Sequence, residues 1–288
     1  MVWLLIVSFV WAFSFGLIKG RLAGVDPSLV AFLRLAMALA VFLPVARPGG
    51  LRGRDLAILG TIGAIQFGVM YITYTSAYAY LAAYEIASLA IFTPIFVCLA
   101  NDLLDRSFSP WPLVAALIAT AGAAVVLMER PLTGASWKGV VLMQVSNACF
   151  ATGQVAYARW KKRSPAARDA QVFLIPCVGA VIVTAIPAAP ALGSMAALTA
   201  SQWLTLLYLG VVASGLCFFA WNFGAARTPT GPLAVVNNAK IPLAVACSVF
   251  FFGESADLTR LLSGGALIVA AGLIADRKGR RPAPVAGG

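Results

Sequence analysis

Ten apolar runs, each 17 to 24 residues long, follow one another along the chain with only short polar gaps. They fall at about 2–18, 29–46, 56–78, 84–104, 111–128, 138–157, 171–190, 202–225, 231–252 and 259–275. A hydrocarbon core of about 30 Å takes about 20 helical residues to cross, so each run is long enough to span it. The gaps leave no room for a soluble domain of useful size. A backbone in lipid must satisfy its own hydrogen bonds, and the runs lack strand-like alternation, so they are read as helices. Composition agrees: 61% of the 288 residues are hydrophobic and 11% charged, against about half and a quarter in soluble domains. The expected fold class is an all-α integral membrane protein with ten transmembrane helices. The first run has the length of a signal-peptide core but no basic residues before it. Lys19 and Arg21 follow it in place of a small-residue cleavage site, so it is kept as a helix of the mature protein.

The net charge of +11 invites a nucleic-acid reading, but nearly all of the 21 Lys and Arg lie between the apolar runs, where they act as topology signals. With the N-terminus in the cytoplasm, fourteen fall inside: Arg47, Arg52, Arg54, Arg106, the cluster from Arg159 to Arg168, Arg227 and the RKGRR tail. Five fall outside, namely Lys19, Arg21, Arg130, Lys138 and Arg260. This bias implies an inner-membrane protein with both termini cytoplasmic, in contact with lipid and not with nucleic acid. The five cysteines (Cys98, Cys149, Cys177, Cys217 and Cys247) sit in separate apolar runs without C-x-x-C spacing, and the chain has no histidine. No disulfide framework, metal site or cofactor is expected.

The chain also repeats itself. AALIATAG at 115–122 matches GALIVAAG at 265–272 in five of eight positions, and TPIFVCLANDLLDRS at 93–107 parallels IPLAVACSVFFFGES at 241–255, with Pro94 opposite Pro242. The spacing divides the chain into residues 1–130 and 131–288. Each half holds five helices, an odd number, so the second half would cross the membrane in the opposite sense to the first. WAFSFGLIKGRLAGVDPSLVAFLRLAMA (11–38), YTSAYAYLAAYEIASLAIFTPIF (74–96) and RTPTGPLAVVNNAKIPLAVACSVFFFGE (227–254) resemble the EamA-type members of the drug/metabolite transporter superfamily. AWNFG at 220–224 is similar to the YddG-like amino acid exporters within it. The resemblance covers both halves and implies a secondary transporter built as an inverted repeat. Asp105 and Arg106 stand where the second half has Gly253 and Glu254, so no role is carried from that pair to the first half.

Polar residues deep in apolar runs need an explanation. In LAVVNNAKIPLAV (233–245), Asn237, Asn238 and Lys240 sit near mid-depth, where a lysine costs about 3 kcal/mol to insert. The repeat-equivalent positions are Leu89, Ala90 and Phe92, so the architecture does not demand polarity there. One reading has Asn238 and Lys240 satisfy carbonyls freed by Pro242. The other places all three on a central cavity between the halves, with Lys240 meeting a substrate carboxylate through charge-assisted hydrogen bonds. Gln144, Asn147 and Gln154 form one polar stripe; Ser214, Phe218, Trp221 and Asn222 form another; Gln66, Tyr71, Tyr74 and Tyr78 form a third. The expected substrate site is Lys240, Asn237, Asn238, Trp221, Asn222, Gln66, Tyr71, Tyr74, Tyr78, Asn147 and Gln154. Arg34 can snorkel and Trp11 can simply pack. Ala115, Ala119 and Ala123 suit close packing within one bundle, or alternatively a dimer face.

NDLLD (101–105) resembles the acidic clusters that hold magnesium in some lipid transferases, but Asp102 with Arg106 reads better as a surface ion pair. No G-x-S-x-G occurs, and without histidine there is no Ser-His chemistry, so an intramembrane lipid-modifying enzyme is a remote alternative. The charge singled out at mid-membrane is positive, which favours substrates with a carboxylate or phosphate. Amino acids lead as the substrate class, with drugs, nucleotide sugars and other metabolites as alternatives. The expected protein is a monomer or homodimer.

Overall fold

The computed structural model describes residues 2–127, 136–252 and 257–279, and among them every regular element is helical. In chain order these are α1 (Val2–Arg21), α2 (Pro27–Val45), α3 (Gly53–Ala77), α4 (Ala83–Ala90), α5 (Thr93–Asp105), α6 (Pro110–Leu127) and α7 (Trp137–Arg163). They continue as α8 (Asp169–Ala197), α9 (Ala200–Ala225), α10 (Thr230–Val236), α11 (Lys240–Phe252) and α12 (Leu258–Gly279). Every expected apolar run is occupied by helix. Seven helical units among the described residues are long and apolar enough to cross a membrane: α2, α3, Tyr84–Asp105, α6, α8, α9 and Leu258–Asp276. The chain is therefore a multi-pass integral membrane protein. Of the other three expected spans, α7 falls short of that measure because it carries its amides and a basic last turn, and α10 and α11 are two short pieces; the side chains of part of α1 and of α11 lie outside the described residues.

Two of the expected continuous helices are broken. The run at 84–104 turns at Ile91–Phe92 between α4 and α5, and the run at 231–252 turns at residues 237–239 between α10 and α11. A proline follows each turn, Pro94 and Pro242. Proline cannot donate to the carbonyl four residues back and crowds it. The Ala90 carbonyl accepts instead from the Thr93 hydroxyl at 2.7 Å, and the Asn238 carbonyl from the Ile241 amide at 3.1 Å. Both π-type stretches, Ala64–Val69 in α3 and Tyr208–Leu216 in α9, widen a helix in the middle of its run.

Small residues set the closest approaches. A side chain on Gly122 would lie 2.7 Å from the Gly264 carbonyl oxygen, so α6 and α12 meet backbone to backbone. Ala115, Ala119 and Ala123 are fully buried in that seam with Ala271 and Ala275, so they serve packing within one bundle. Likewise Gly63 abuts Pro176 and Gly179 abuts Gly60, joining α3 to α8.

Charged residues gather at one end of the bundle. Asp169 is buried and pairs with Lys161 at 3.2 Å and Arg227 at 3.1 Å. Asp105 pairs with Arg159, and the Trp160 indole donates to Asp55 at 3.0 Å. The Arg47 amide reaches the Gln171 carbonyl at 2.9 Å, so residues assigned to one side in the sequence do meet at one end. Asp102 does not serve Arg106 as expected. It accepts from the Ser109 amide at 3.1 Å, while Arg106 takes a left-handed conformation, φ 51°, that ends α5. Arg130, Gly253, Glu254 and the tail beyond residue 279 lie outside the described residues, as do the side chains of Lys19 and Cys247.

Candidate functional site

The two helix breaks converge on one cavity with an empty volume of about 680 Å³. Ala90 and Thr93 flank it from the first break, and Lys240, the first residue of α11, reaches it from the second. Met70, Tyr71 and Tyr74 come from α3, and Met143, Ser146, Asn147 and Phe150 from α7. Trp11 of α1, Arg34 of α2 and Phe218 of α9 complete the lining. At each break one helix ends and another begins, so the carbonyl ends of α4 and α10 and the amide ends of α5 and α11 meet near the same space.

Among the described residues, two cations and no carboxylate line this cavity. Arg34 is only 2% exposed, so the snorkelling expected of it does not occur. Its Nη2 donates to the Tyr71 hydroxyl at 2.5 Å, its Nε to the Ser214 hydroxyl at 3.3 Å, and its guanidinium lies 4.5 Å from the Tyr71 ring centre. The Ser214 hydroxyl in turn donates to the Leu209 carbonyl at 2.8 Å within the widened stretch of α9. Nη1 of Arg34 is buried with no protein partner. Lys240 forms no ion pair among the described residues. Two unneutralised cations in a low-dielectric pocket make strong attachment points for an anion.

The walls are aromatic. Trp11 packs on Trp221, Phe218 and Phe150 with ring centres 5.0, 5.7 and 5.8 Å apart, and its indole donates to the Ala213 carbonyl at 2.8 Å. Phe218 stacks on Phe67 at 4.4 Å. Such a chamber accepts a flat or aliphatic body and leaves few polar atoms to hold its far end.

Of the residues expected at the site, Lys240, Tyr71, Tyr74 and Asn147 line the cavity, and Tyr78 supports it through a 2.9 Å hydrogen bond between the Tyr74 and Tyr78 hydroxyls. Asn237, Asn238, Trp221, Asn222, Gln66 and Gln154 are buried behind it and bond to protein, while Oε1 of Gln66, Nε2 of Gln154 and Oδ1 of Asn237 and Asn238 are buried without a protein partner. Asn238 donates to the Ile91 carbonyl at 2.9 Å and, more weakly, to Ala119 at 3.3 Å, so the second break caps the first. Thr120 donates to the same Ile91 oxygen at 3.1 Å. Asn147 donates to the Leu89 carbonyl at 2.8 Å and accepts from Thr93 at 3.1 Å. Asn237 bonds the Leu233 carbonyl at 2.8 Å; Trp221 donates to Gln154 at 2.9 Å; Gln66 donates to Asn222 at 3.2 Å. The residues that sequence reading left out are Arg34, Trp11, Thr93, Ser146, Phe150 and the two methionines. Arg34 had a signal: it lies seven residues past Pro27, about 10 Å into the helix, which is deep for an arginine with no role.

The chain is 39% identical to a "Probable biotin transporter" of Pseudomonas aeruginosa over 97% of this chain and 98% of that one. It is 33% identical to a "Biotin transporter" of Escherichia coli strain K12, over 96% and 92% of the two chains. A "Probable terminal-alkyne amino-acid exporter" of Streptantibioticus cattleyicolor shares 26% identity over 97% and 95%. A solved crystal structure superposes with a TM-score of 0.72 over 96% of both chains at 20% identity, which shows a shared fold. Residues 1–128 and 137–275 match the EamA-like transporter family, so this chain belongs to that family and is a transporter of small molecules, not an enzyme.

Proposed function

We propose that the protein carries a small organic carboxylate, biotin or a close analogue, across the inner membrane. The observation that carries this reading is the pairing of Arg34 and Lys240 on one cavity without a lining Asp or Glu among the described residues. A carboxylate can bridge the two cations while an apolar ring system rests against Trp11, Phe150 and Phe218. A zwitterionic amino acid is the poorer fit, because its ammonium would meet two like charges with no acid to offset them. The biotin-transporter relatives, similar along nearly the whole chain, support the same choice.

The transport step is alternating access between residues 1–130 and 131–288, taken as five-helix halves of opposite orientation with both termini in the cytoplasm. Three correspondences support this: the breaks followed by Pro94 and Pro242, the widened stretches in α3 and α9, and the family match to both halves. The cavity lies where the two breaks meet, the position at which rocking halves would expose a fixed site to either side.

Counterflow of labelled biotin in proteoliposomes tests the reading. Unlabelled biotin should compete, while biotin amide and neutral amino acids should not. Equal competition by biotin amide would remove the role of the two cations, and stronger competition by alanine or phenylalanine would return amino acids to first place.

A further inference from the structure

At the end of the bundle where basic residues gather, α3 and α7 part around a second opening that shares no residue with the central cavity. It has an empty volume of about 1300 Å³ and is edged by Arg52, Arg54, Arg159 and Arg163. Asp55 also edges the opening, where its carboxylate accepts from the Trp160 indole, so the arginines outnumber the acid four to one; Asp105 nearby pairs with Arg159. Arg52, Arg54 and Arg163 form no ion pair among the described residues.

An apolar channel of about 670 Å³ continues from this opening, sharing Arg54, Ile58 and Ala156 with it. Its α3 wall is Arg54, Ala57, Ile58, Thr61, Ile62 and Ile65, a single helix face by spacing. From 54 to 65 that face rises about 16 Å, close to the roughly 15 Å depth of one leaflet's hydrocarbon. The α7 wall is Thr152, Gly153 and Ala156, side chains too small to fill the space. The two helices touch again where Gly153 packs against the Gln66 side chain.

We propose that this joined cleft and channel is a binding site for an anionic phospholipid, its phosphate held by Arg52, Arg54 and Arg163 and one acyl chain lying between α3 and α7. A basic cleft alone would accept any phosphate, and an apolar channel alone any chain. The joined geometry selects a molecule that carries both, and juxtamembrane arginines favour anionic over zwitterionic headgroups.

Full-length protein in vesicles containing phosphatidylglycerol with a photoreactive acyl chain provides the test. Cross-links should map to residues 54–65 and 152–163 and be competed by unlabelled phosphatidylglycerol but not by the same amount of phosphatidylcholine. Cross-links elsewhere, or equal competition by phosphatidylcholine, would overturn the proposal. Inorganic phosphate abolishing the labelling would overturn it too, in favour of a free-anion site. In native mass spectrometry, Arg54→Gln with Arg163→Gln should lower retention of phosphatidylglycerol about fivefold per arginine. Thr61→Trp, at an exposed position on the channel wall, should reduce cross-linking with no change in charge. Wild-type labelling in Thr61→Trp would overturn the channel assignment even if the arginine variant failed to fold.

Discussion

Arg34 and Lys240 reach one cavity from opposite halves of the chain, yet they are held differently. Arg34 is fixed by Tyr71 and Ser214, whereas Lys240 stands at the start of α11 with its ammonium free of any carboxylate among the described residues. Lys240→Met keeps the stem and removes the charge. It should weaken binding roughly 10- to 100-fold, the worth of a charged hydrogen bond of about 1.5–3 kcal/mol, with protein yield and thermal unfolding unchanged. Half-saturation in counterflow measures this, and a wild-type value would exclude the ammonium from the site. Asn238 makes a different prediction because it bonds the Ile91 carbonyl across the two breaks. Thr120 still serves that oxygen when the amide is removed. Asn238→Ala should therefore cost about 1 kcal/mol of stability and leave half-saturation alone. A shift in half-saturation without a change in melting would make Asn238 a binding residue.

Among the elements, the α6–α12 seam is one of close approach, because the Gly122 and Gly264 backbones touch with no side chain between them. Gly122→Leu must push the helices apart or bend them, and overpacking of this kind costs about 1–3 kcal/mol or more. A lower melting temperature in detergent is expected, with the same oligomeric state by light scattering as the wild type. Conversion to a different oligomer would show that the seam also serves assembly. The helix breaks illustrate how far element-level reading reaches. Pro94 and Pro242 mark both in the sequence, but a single proline can kink a helix or end it. At the first break the freed carbonyls find substitute partners in Thr93, Asn147, Asn238 and Thr120, and three of those four come from other parts of the bundle; at the second, the Asn238 carbonyl accepts from the Ile241 amide.

For the whole molecule, the gathering of Asp55, Asp105 and Asp169 with Arg159, Lys161 and Arg227 at one end makes topology testable. Single cysteines at 47–54 and 159–168 should react with an impermeant reagent from the same side, and the proposed orientation makes that side the cytoplasm. Labelling of the two groups from opposite sides would refute both the bundle ends and the inverted repeat. The cavity also bears on energetics, since among the described residues no Asp, Glu or His lines it to carry a proton. An imposed pH gradient alone should not drive accumulation in proteoliposomes; strong accumulation would place a proton carrier outside the cavity.

The membrane class, the positions of the helices, the small-residue packing seam and the place of Lys240 on the cavity all follow from residue order, because periodicity, run length and the cost of burying a charge are local properties. The family resemblance was likewise visible in contiguous motifs. Which polar residues face the cavity was not. Asn237, Asn238, Gln66, Asn222 and Gln154 look like binding groups in a linear reading, since a buried amide with a neighbour's carbonyl to bond cannot be told there from one awaiting a substrate. Arg34 looks dispensable for the converse reason: its partners, Tyr71 and Ser214, are 37 and 180 positions away. Only the tertiary packing decides which carbonyls are freed, which amides turn to satisfy them, and which cations are left for a ligand.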